Sequence, residues 1–334
     1  MAKSSRLYTW CPLSPDLSRQ SNGIPLREGV EFDFVRRMLA RWGPIAEGIG
    51  DDAAILAAVS DRALIASTDV SVENVHFRRG WLEPREIGYR ATASALSDLA
   101  AIAATPLGIL VALTLPELWR AHIDEIADGI GDAAQNSCAR IVGGDLSEGR
   151  DLSLAITVLG TAEHPLRRDG AHPGDRVYVT GRLGGPLAAI NALVEGRAPA
   201  AEHRERFAHP VPRIREARWL VAHGASAGID ISDGLAADLG QIAAASEACV
   251  ALSLDRVPTM PGISASDAAG SGEEYELAVT SRDALDTRAF IEEFGIPLTE
   301  VGTVEAGRPI VRVFDRGAPV PTPSGYLHFR ESAE

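Results

Sequence analysis

Lysine is almost missing. Lys3 is the only one in 334 residues, and every other basic side chain is an arginine. A P-loop nucleotide enzyme needs a lysine in its glycine-rich loop, a protein kinase needs one on its third strand, and Schiff-base and pyridoxal enzymes need one as nucleophile. Lys3 falls in residues 1–29, which mix Ser, Pro and Arg, lack the apolar core of a secretion signal and read as a flexible tail. None of those classes fits. Compositional bias explains the shortage better than functional selection, but the exclusion holds either way. Cysteine is scarce too: Cys11, Cys138 and Cys249 are far apart with no C-x-x-C pair, so neither a disulfide framework nor a zinc cluster is expected, and a reducing cytoplasm is the expected location. Long apolar runs are wanting as well. The longest uncharged stretch, Leu99 to Pro116, is broken by Thr105-Pro106 and Gly108 into a helix end and a strand, so no membrane span is expected. Basic charge is in deficit, 32 against 46 acids for a net −14, which argues against binding nucleic acid or anionic lipid and permits bound cations.

What remains is an ordinary globular composition, 46% hydrophobic and 23% charged, with a length suited to two domains. The expected division is the tail, residues 1–29, an N-terminal domain over 30–162 and a C-terminal domain over 163–334. Apolar spacing predicts helices over about 31–41, 83–104 and 118–139 in the first, with strands at 63–67, 109–115 and 152–159. In the second, strands are expected at 175–180, 227–231, 250–254, 276–280, 298–304 and 310–314. Helices are expected after Gly184-Gly185, over 212–223 and over 235–246. The class is mixed α/β without the regular alternation of a doubly wound sheet.

Most of the acids belong on solvated faces. Six aspartates have a different setting. Asp52, Asp69, Asp98, Asp145, Asp230 and Asp233 each lie beside Gly, Ser or Thr at the border of an element, with apolar sequence on at least one side. Any one of them alone is explained by a helix cap or a turn. Six together suggest carboxylates converging from separate segments on hard cations such as magnesium, which take oxygen ligands. A nucleotide enzyme without lysine must neutralise phosphate with metal, arginine and backbone N–H groups. Gly181 to Gly185 reads more simply as a turn than as a phosphate cradle.

Several motifs occur in one unbroken order: Gly48-Ile-Gly-Asp-Asp-Ala-Ala54, Ser67-Thr68-Asp69 with Val72-Glu-Asn-Val-His76-Phe77, Leu96-Ser97-Asp98-Leu-Ala-Ala101 and Gly143-Gly144-Asp145. They continue with Asp230-Ile-Ser232-Asp233-Gly-Leu235, Ser271-Gly-Glu273-Glu274-Tyr-Glu-Leu277 and Gly325-Tyr326-Leu-His-Phe329. This order resembles the thiamine-monophosphate kinase family over about residues 30–330. The resemblance implies a two-domain fold shared with aminoimidazole ribonucleotide synthetase, with an N-terminal sheet that pairs across a homodimer. It implies transfer of the ATP γ-phosphate onto thiamine monophosphate, with several magnesium ions. By the same resemblance Asp52, Ser67, Thr68, Asp69, Asp98, Asp145, Asp230 and Asp233 match magnesium ligands, Gly144, Asp145, Arg168 and Ser232 match ATP contacts, and His76, Glu273 and Tyr326 match thiamine-substrate contacts.

The chemistry agrees with the residues. A phosphomonoester with a second pKa of about 6 is already ionised at pH 7, so no strong general base is required; the difficulty is to bring an anion against a polyanion. Direct in-line transfer without a phosphoenzyme is expected. The chain departs from the family pattern at Ser271 (usually Gly), Glu274 (usually Asp), Leu146-Ser147 (often two threonines) and Asn74 (commonly Gly). Ser271 is expected to restrict a turn that favours positive φ, and Asn74 to tolerate it. Two alternatives stay open: another ATP-dependent enzyme of the same superfamily, and a degenerate ATP-binding dimer with a regulatory role.

Overall fold

The computed structural model describes residues 54–56 and 62–326. The expected tail, the helix over 31–41, Asp52 and Leu327-His328-Phe329 lie outside them. β1 (Ala54–Leu56), β2 (Ala63–Val72), β3 (Thr105–Leu115), β4 (Arg140–Glu148) and β5 (Ser153–Ala162) form a sheet in the order β1-β2-β5-β3-β4. Neighbours are antiparallel except β3 and β4. The β2–β5 ladder runs without a slip from Ala63↔Ala162 to Val72↔Ser153, so the two-residue period of β2 is fixed along its length. Ile65, Ser67, Asp69 and Ser71 share one face; Thr68 and Val70 share the other.

The first face is covered by α1 (Pro84–Ala101) and α2 (Ile123–Asn136), and Ile65, Leu96, Leu99, Ile126, Ile130, Ile156 and Val158 fill the core between them. α1 starts where Pro84 stands in the first turn and Glu83 and Glu86 form a reciprocal capping box, Glu83 N–H donating to Glu86 Oε2 at 2.8 Å. The two helices come together backbone to backbone. A Cβ on Gly88 would stand 2.1 Å from the Ile126 carbonyl oxygen, and one on Gly129 would stand 1.8 Å from that of Arg85.

The second sheet is built from β6 (Arg176–Thr180), β7 (Ala225–Asp230), β8 (Cys249–Ser253), β9 (Leu277–Ser281), β10 (Leu298–Glu305), β11 (Val311–Asp315) and β12 (Ala318–Val320). Its order is β12-β11-β8-β10-β6-β9-β7, antiparallel except between β11 and β8. The connecting helices are α3 (Gly185–Val194), α4 (Ala201–Ala208), α5 (Ile214–Ala222), α6 (Leu235–Ala245), α7 (Ala265–Gly270) and α8 (Thr287–Phe294). One core joins Val177, Ile229, Leu239, Ile242 and Leu252; another joins Tyr178, Leu220, Val279 and Phe290 and takes in Ala100 from α1. The end of α1 is thus buried in the second unit as well as the first.

The expected helix and strand in the uncharged stretch are present, α1 ending at Ala101 and β3 opening at Thr105. No described helix is long and apolar enough to cross a membrane. The helix expected over 118–139 is a 3-10 turn, Glu117–His122, followed by α2, because Pro116 fixes the entry and the regular apolar spacing begins only at Ile123. α5 begins at Ile214, two residues after Pro212. Gly143-Gly144-Asp145 lies within β4, where the sequence suggested only the border of an element.

Replacing Gly129 by Ala drives a methyl into the Arg85 carbonyl and forces α1 and α2 apart. The expected loss is about 1–3 kcal/mol in a urea unfolding curve, the usual cost of overpacking; an unchanged midpoint would mean that the helix pair has slack.

Candidate active site

Two serine hydroxyls organise the carboxylates. Ser67 on β2 donates to Asp98 Oδ2 at 2.5 Å, and Ser97, the residue before Asp98 on α1, donates to Asp230 Oδ2 at 2.5 Å. Both are short, charge-assisted O–H···O bonds. Asp230 ends β7 and is buried, 133 residues along the chain from its serine. A hydroxyl from the first sheet and a carboxylate from the second therefore meet the C-terminal half of α1.

The Ser232-Asp233-Gly234 turn follows directly. Its three N–H groups all donate to Asp238 Oδ2, at 3.1, 3.1 and 3.0 Å. Asp238 is buried in the first turn of α6, and burial, with Asp233 and Asp230 close by, holds its carboxyl well above the usual range. Arg168 is among the charges that act on it, in the opposing direction. Sequence reasoning passed over Asp238. Its signal was an acid in an otherwise apolar Leu-Ala-Ala-Asp-Leu-Gly run, four residues after a turn glycine.

Two further segments are laced to this turn through the backbone. Glu273 N–H donates to the Ser232 carbonyl at 2.7 Å, Tyr275 N–H to Ile231 at 2.9 Å, and Tyr326 N–H to Asp233 at 2.9 Å. Glu273 and Tyr326 are thereby brought to the aspartate pair. Glu273 and Tyr275 adopt left-handed backbone, φ 60° and 53°. The Glu273 side chain makes an ion pair with Arg90 of α1, whose guanidinium is buried and stacks 4.7 Å from the Phe207 ring. His76 sits in the turn after β2, where its Nδ1 accepts the Val72 N–H at 3.0 Å, a bond that leaves the ring proton on Nε2.

Not every expected residue arrives. Thr68 turns to the opposite face of β2 from Ser67 and Asp69, where it meets Thr157 Oγ1 at 3.1 Å. Asp145 lies on the exposed edge strand β4. The register runs Asp69↔Ile156, Ile156↔Val111 and Val111↔Gly144, so three strand spacings, about 14 Å, separate Asp69 from Gly144 within one chain. Among the described residues no three Asp, Glu, His or Cys side chains stand close enough together to hold a metal ion. The oxygen-only character of the Ser67, Asp98, Ser97 and Asp230 grouping nonetheless matches a hard cation.

The departures at 271 and 274 take a form that sequence did not suggest. Ser271 has φ −72°, so no positive-φ turn is restricted there; Asn74, at φ 67°, does adopt the left-handed backbone expected of it. Ser271 Oγ instead donates to Glu274 Oε1 at 2.5 Å, and the Gly184 N–H donates to the same oxygen at 2.6 Å. Gly184, at φ 103°, is a turn whose amide is used inside the protein. Glu274 is wholly buried. Burial pushes its carboxyl up to about 7, against the opposing pull of Arg206 and the Ser271 bond. Glu276 shows the reverse balance: burial is outweighed by Arg213, which grips it at 2.8 and 2.5 Å, and by Arg206 at 2.9 Å, so its carboxyl is lowered.

Comparison with known proteins agrees with this architecture. Residues 50–162 match the family model "AIR synthase related protein, N-terminal domain" and residues 172–314 match "AIR synthase related protein, C-terminal domain". The thiamine-monophosphate kinase of Salmonella typhimurium is 34% identical over 324 residues, covering 90% of this chain and 98% of that protein. Among solved structures, AaThiL complexed with AMPPCP and TMP superposes with a TM-score of 0.79 at 28% identity, covering 90% of this chain and 97% of that one. The thiamine-monophosphate kinase from Stenotrophomonas maltophilia K279a gives 0.71 at 33% identity, covering 88% and 98%.

The raised carboxyl of Glu274 has a consequence for stability. Its folded pKa, about 7, lies above the ordinary 4.5, so its protonated form stabilises the fold below pH 4.5 and that contribution is lost as pH rises towards 7. Glu274→Gln removes the titration and keeps the acceptor oxygen. Unfolding curves across this window should show the variant gaining on the wild type as pH rises, by up to about 3 kcal/mol. Parallel pH profiles would mean that Glu274 titrates normally.

Proposed function

Because the chain belongs to the thiamine-monophosphate kinase family, we propose that it works as follows: the γ-phosphoryl group of ATP passes directly, in line, to the terminal phosphate of thiamine monophosphate, giving thiamine diphosphate. The enzyme is a thiamine-phosphate kinase. The observation that carries the mechanistic reading is the pair of adjacent α1 residues: Ser97 holds Asp230 of the second sheet while Asp98 takes its hydrogen bond from Ser67 of the first. The Ser232–Asp233 turn, Glu273 and Tyr326 are tied to the same place by backbone bonds.

Magnesium would be held by Asp69, Asp98, Asp230 and Asp233 with Ser67, and by Asp52 and Asp145 as their family positions suggest. Bound there, it would neutralise phosphate charge. The protein's own part is alignment. The acceptor phosphate is ionised near pH 7, having a second pKa of about 6, so no side chain need remove a proton and no phosphoenzyme forms. Arg168, Ser232, Gly144 and Asp145 bind the nucleotide; His76, Glu273 and Tyr326 bind the thiamine body. The division into residues 30–162 and 163–334 puts the reaction between the two domains.

The working unit is proposed to be a homodimer paired through the N-terminal sheet. All nine residues of β4 are exposed, and Ile141, Val142 and Leu146 stand 53%, 55% and 62% open on this edge strand, whose outer side is of the kind that proteins otherwise protect. Across such a pairing Gly144 and Asp145 contribute from the interface, which accounts for their distance from Asp69.

Purified protein given Mg-ATP and thiamine monophosphate should form thiamine diphosphate; ATP binding without that product would point to a different acceptor. Asp69→Ala should lower kcat at least about a hundredfold with an unchanged melting curve, as expected when a group that steadies transition-state charge is lost; near-normal turnover would remove Asp69 from the site. Sedimentation should give a dimer, and Leu146→Glu a monomer. A monomeric wild type at micromolar concentration would dismiss the pairing.

A further inference from the structure

Glu273 stands in an arch, residues 271–275, that belongs to no helix or strand. Glu273 and Tyr275 are left-handed there, at φ 60° and 53°, a backbone shape that such residues keep only where their surroundings impose it. One part of those surroundings is the Ser232–Asp233 turn. The arch lies so close on it that a Cβ on Gly272 would stand 2.7 Å from the Ser232 carbonyl oxygen, and the Glu273 and Tyr275 N–H groups bond to Ser232 and Ile231.

The other part comes from α3. This helix has no side-chain cap of its own, and Gly184 before it is left-handed at φ 103°. Its opening amides are taken up by the arch instead. The Leu187 N–H donates to Ser271 Oγ at 3.3 Å, and the Gly184 N–H donates to Glu274 Oε1 at 2.6 Å. Ser271 Oγ donates in turn to the same Oε1 at 2.5 Å, which closes a chain of bonds across the base of the arch. Arg206 of α4 adds a further tie, its Nη2 donating to the Glu274 carbonyl at 2.9 Å. Ser271 and Glu274 are both buried, so each of these bonds, once lost, leaves a donor or acceptor that water does not reach. Between the two anchors only Glu273 carries a side chain, and that side chain is 20% open.

We propose that Ser271 and Glu274 are positioning residues for the acceptor, holding the arch in the one shape that carries Glu273 to thiamine monophosphate. This rests on the reading of Glu273 as an acceptor contact and adds what fixes its place. Being buried, neither anchor meets the substrate itself. An arch released from α3 samples other shapes, so apparent affinity falls with the fraction that remains competent, while saturating substrate restores turnover. Glu274 Oε1 does the holding; Oε2 has no hydrogen bond among the described residues and lies 3.7 Å from Arg206 Nη2. An amide in place of the carboxylate therefore keeps the anchor.

Steady-state kinetics on the full-length protein test this. Ser271→Ala and Glu274→Ala should each raise the KM for thiamine monophosphate about tenfold, the size of one buried hydrogen bond, with kcat and the KM for ATP unchanged. Glu274→Gln should largely restore it. Glu273→Gln should raise the same KM, and adding Ser271→Ala to it should then raise it no further, because the anchor acts through Glu273. A normal KM in Ser271→Ala, whatever its melting temperature, an equal rise in the KM for ATP, or additive rises in the double variant would overturn the positioning role and leave the kinase reading in place. A wild-type KM in Glu273→Gln overturns the contact and its positioning together, and a wild type that turns over no thiamine monophosphate overturns the kinase reading with them.

Discussion

Ser97 and Asp98 are neighbours on one helix, and the rest of the molecule is arranged around what that means. Consecutive helical residues point about 100° apart, so two adjacent side chains cannot serve the same partner. Ser97 reaches Asp230 at the end of β7, and Asp98 is reached by Ser67 from β2. Arg90 precedes Ser97 by two turns and therefore faces the same way, toward the second unit, where it finds Glu273. α1 is in this sense the axle on which both sheets are hung. Its burial on nearly every side and the glycine contacts with α2 explain why so alanine-rich a helix is held rigidly.

The lack of lysine has a structural counterpart. The acidic run Glu273-Glu274-Tyr275-Glu276 is met by three arginines from three parts of the chain: Arg90 on α1, Arg206 on α4 and Arg213 just before α5. Planar guanidinium groups suit this role because they give paired bonds in fixed directions and are weakly hydrated. The three carboxylates are not treated alike. Glu276 receives two arginines and is held ionised. Glu274 meets Arg206 only at 3.7 Å, and burial prevails.

Much of the fold was legible where the apolar period was strong. α1, α6 and most of the strands follow from runs such as Ala63–Ser67, where the strand goes on to Val72, and Leu235–Ala245. The helices α4, α7 and α8 were not foreseen, since they are short and α4 is largely Glu, His and Arg on an exposed side. β4 was hidden for another reason: glycine and aspartate are poor strand formers, and only its parallel pairing with β3 makes Gly143-Gly144-Asp145 extended. In the site, residues named by type and setting, such as Asp98 and Asp230, are brought together. Those whose role depends on a face or an edge, Thr68 and Asp145, could not be placed without the register. Asp238 and Arg90 act from the interior, where sequence shows only an acid and a base among apolar neighbours.

The contact between Ser271 and Glu274 bears on how this sequence could have diverged. Two positions that differ from the family pattern lie against each other, and one oxygen of Glu274 takes both the serine hydroxyl and the Gly184 amide. A glycine at 271 would leave that buried carboxylate with one donor fewer. An aspartate at 274, one methylene shorter, would leave the serine and the amide reaching for an acceptor drawn back from them. Each residue is thus the other's background. The order in which they were acquired would have passed through an intermediate less satisfied than either end, and a chimera that takes one without the other re-creates it.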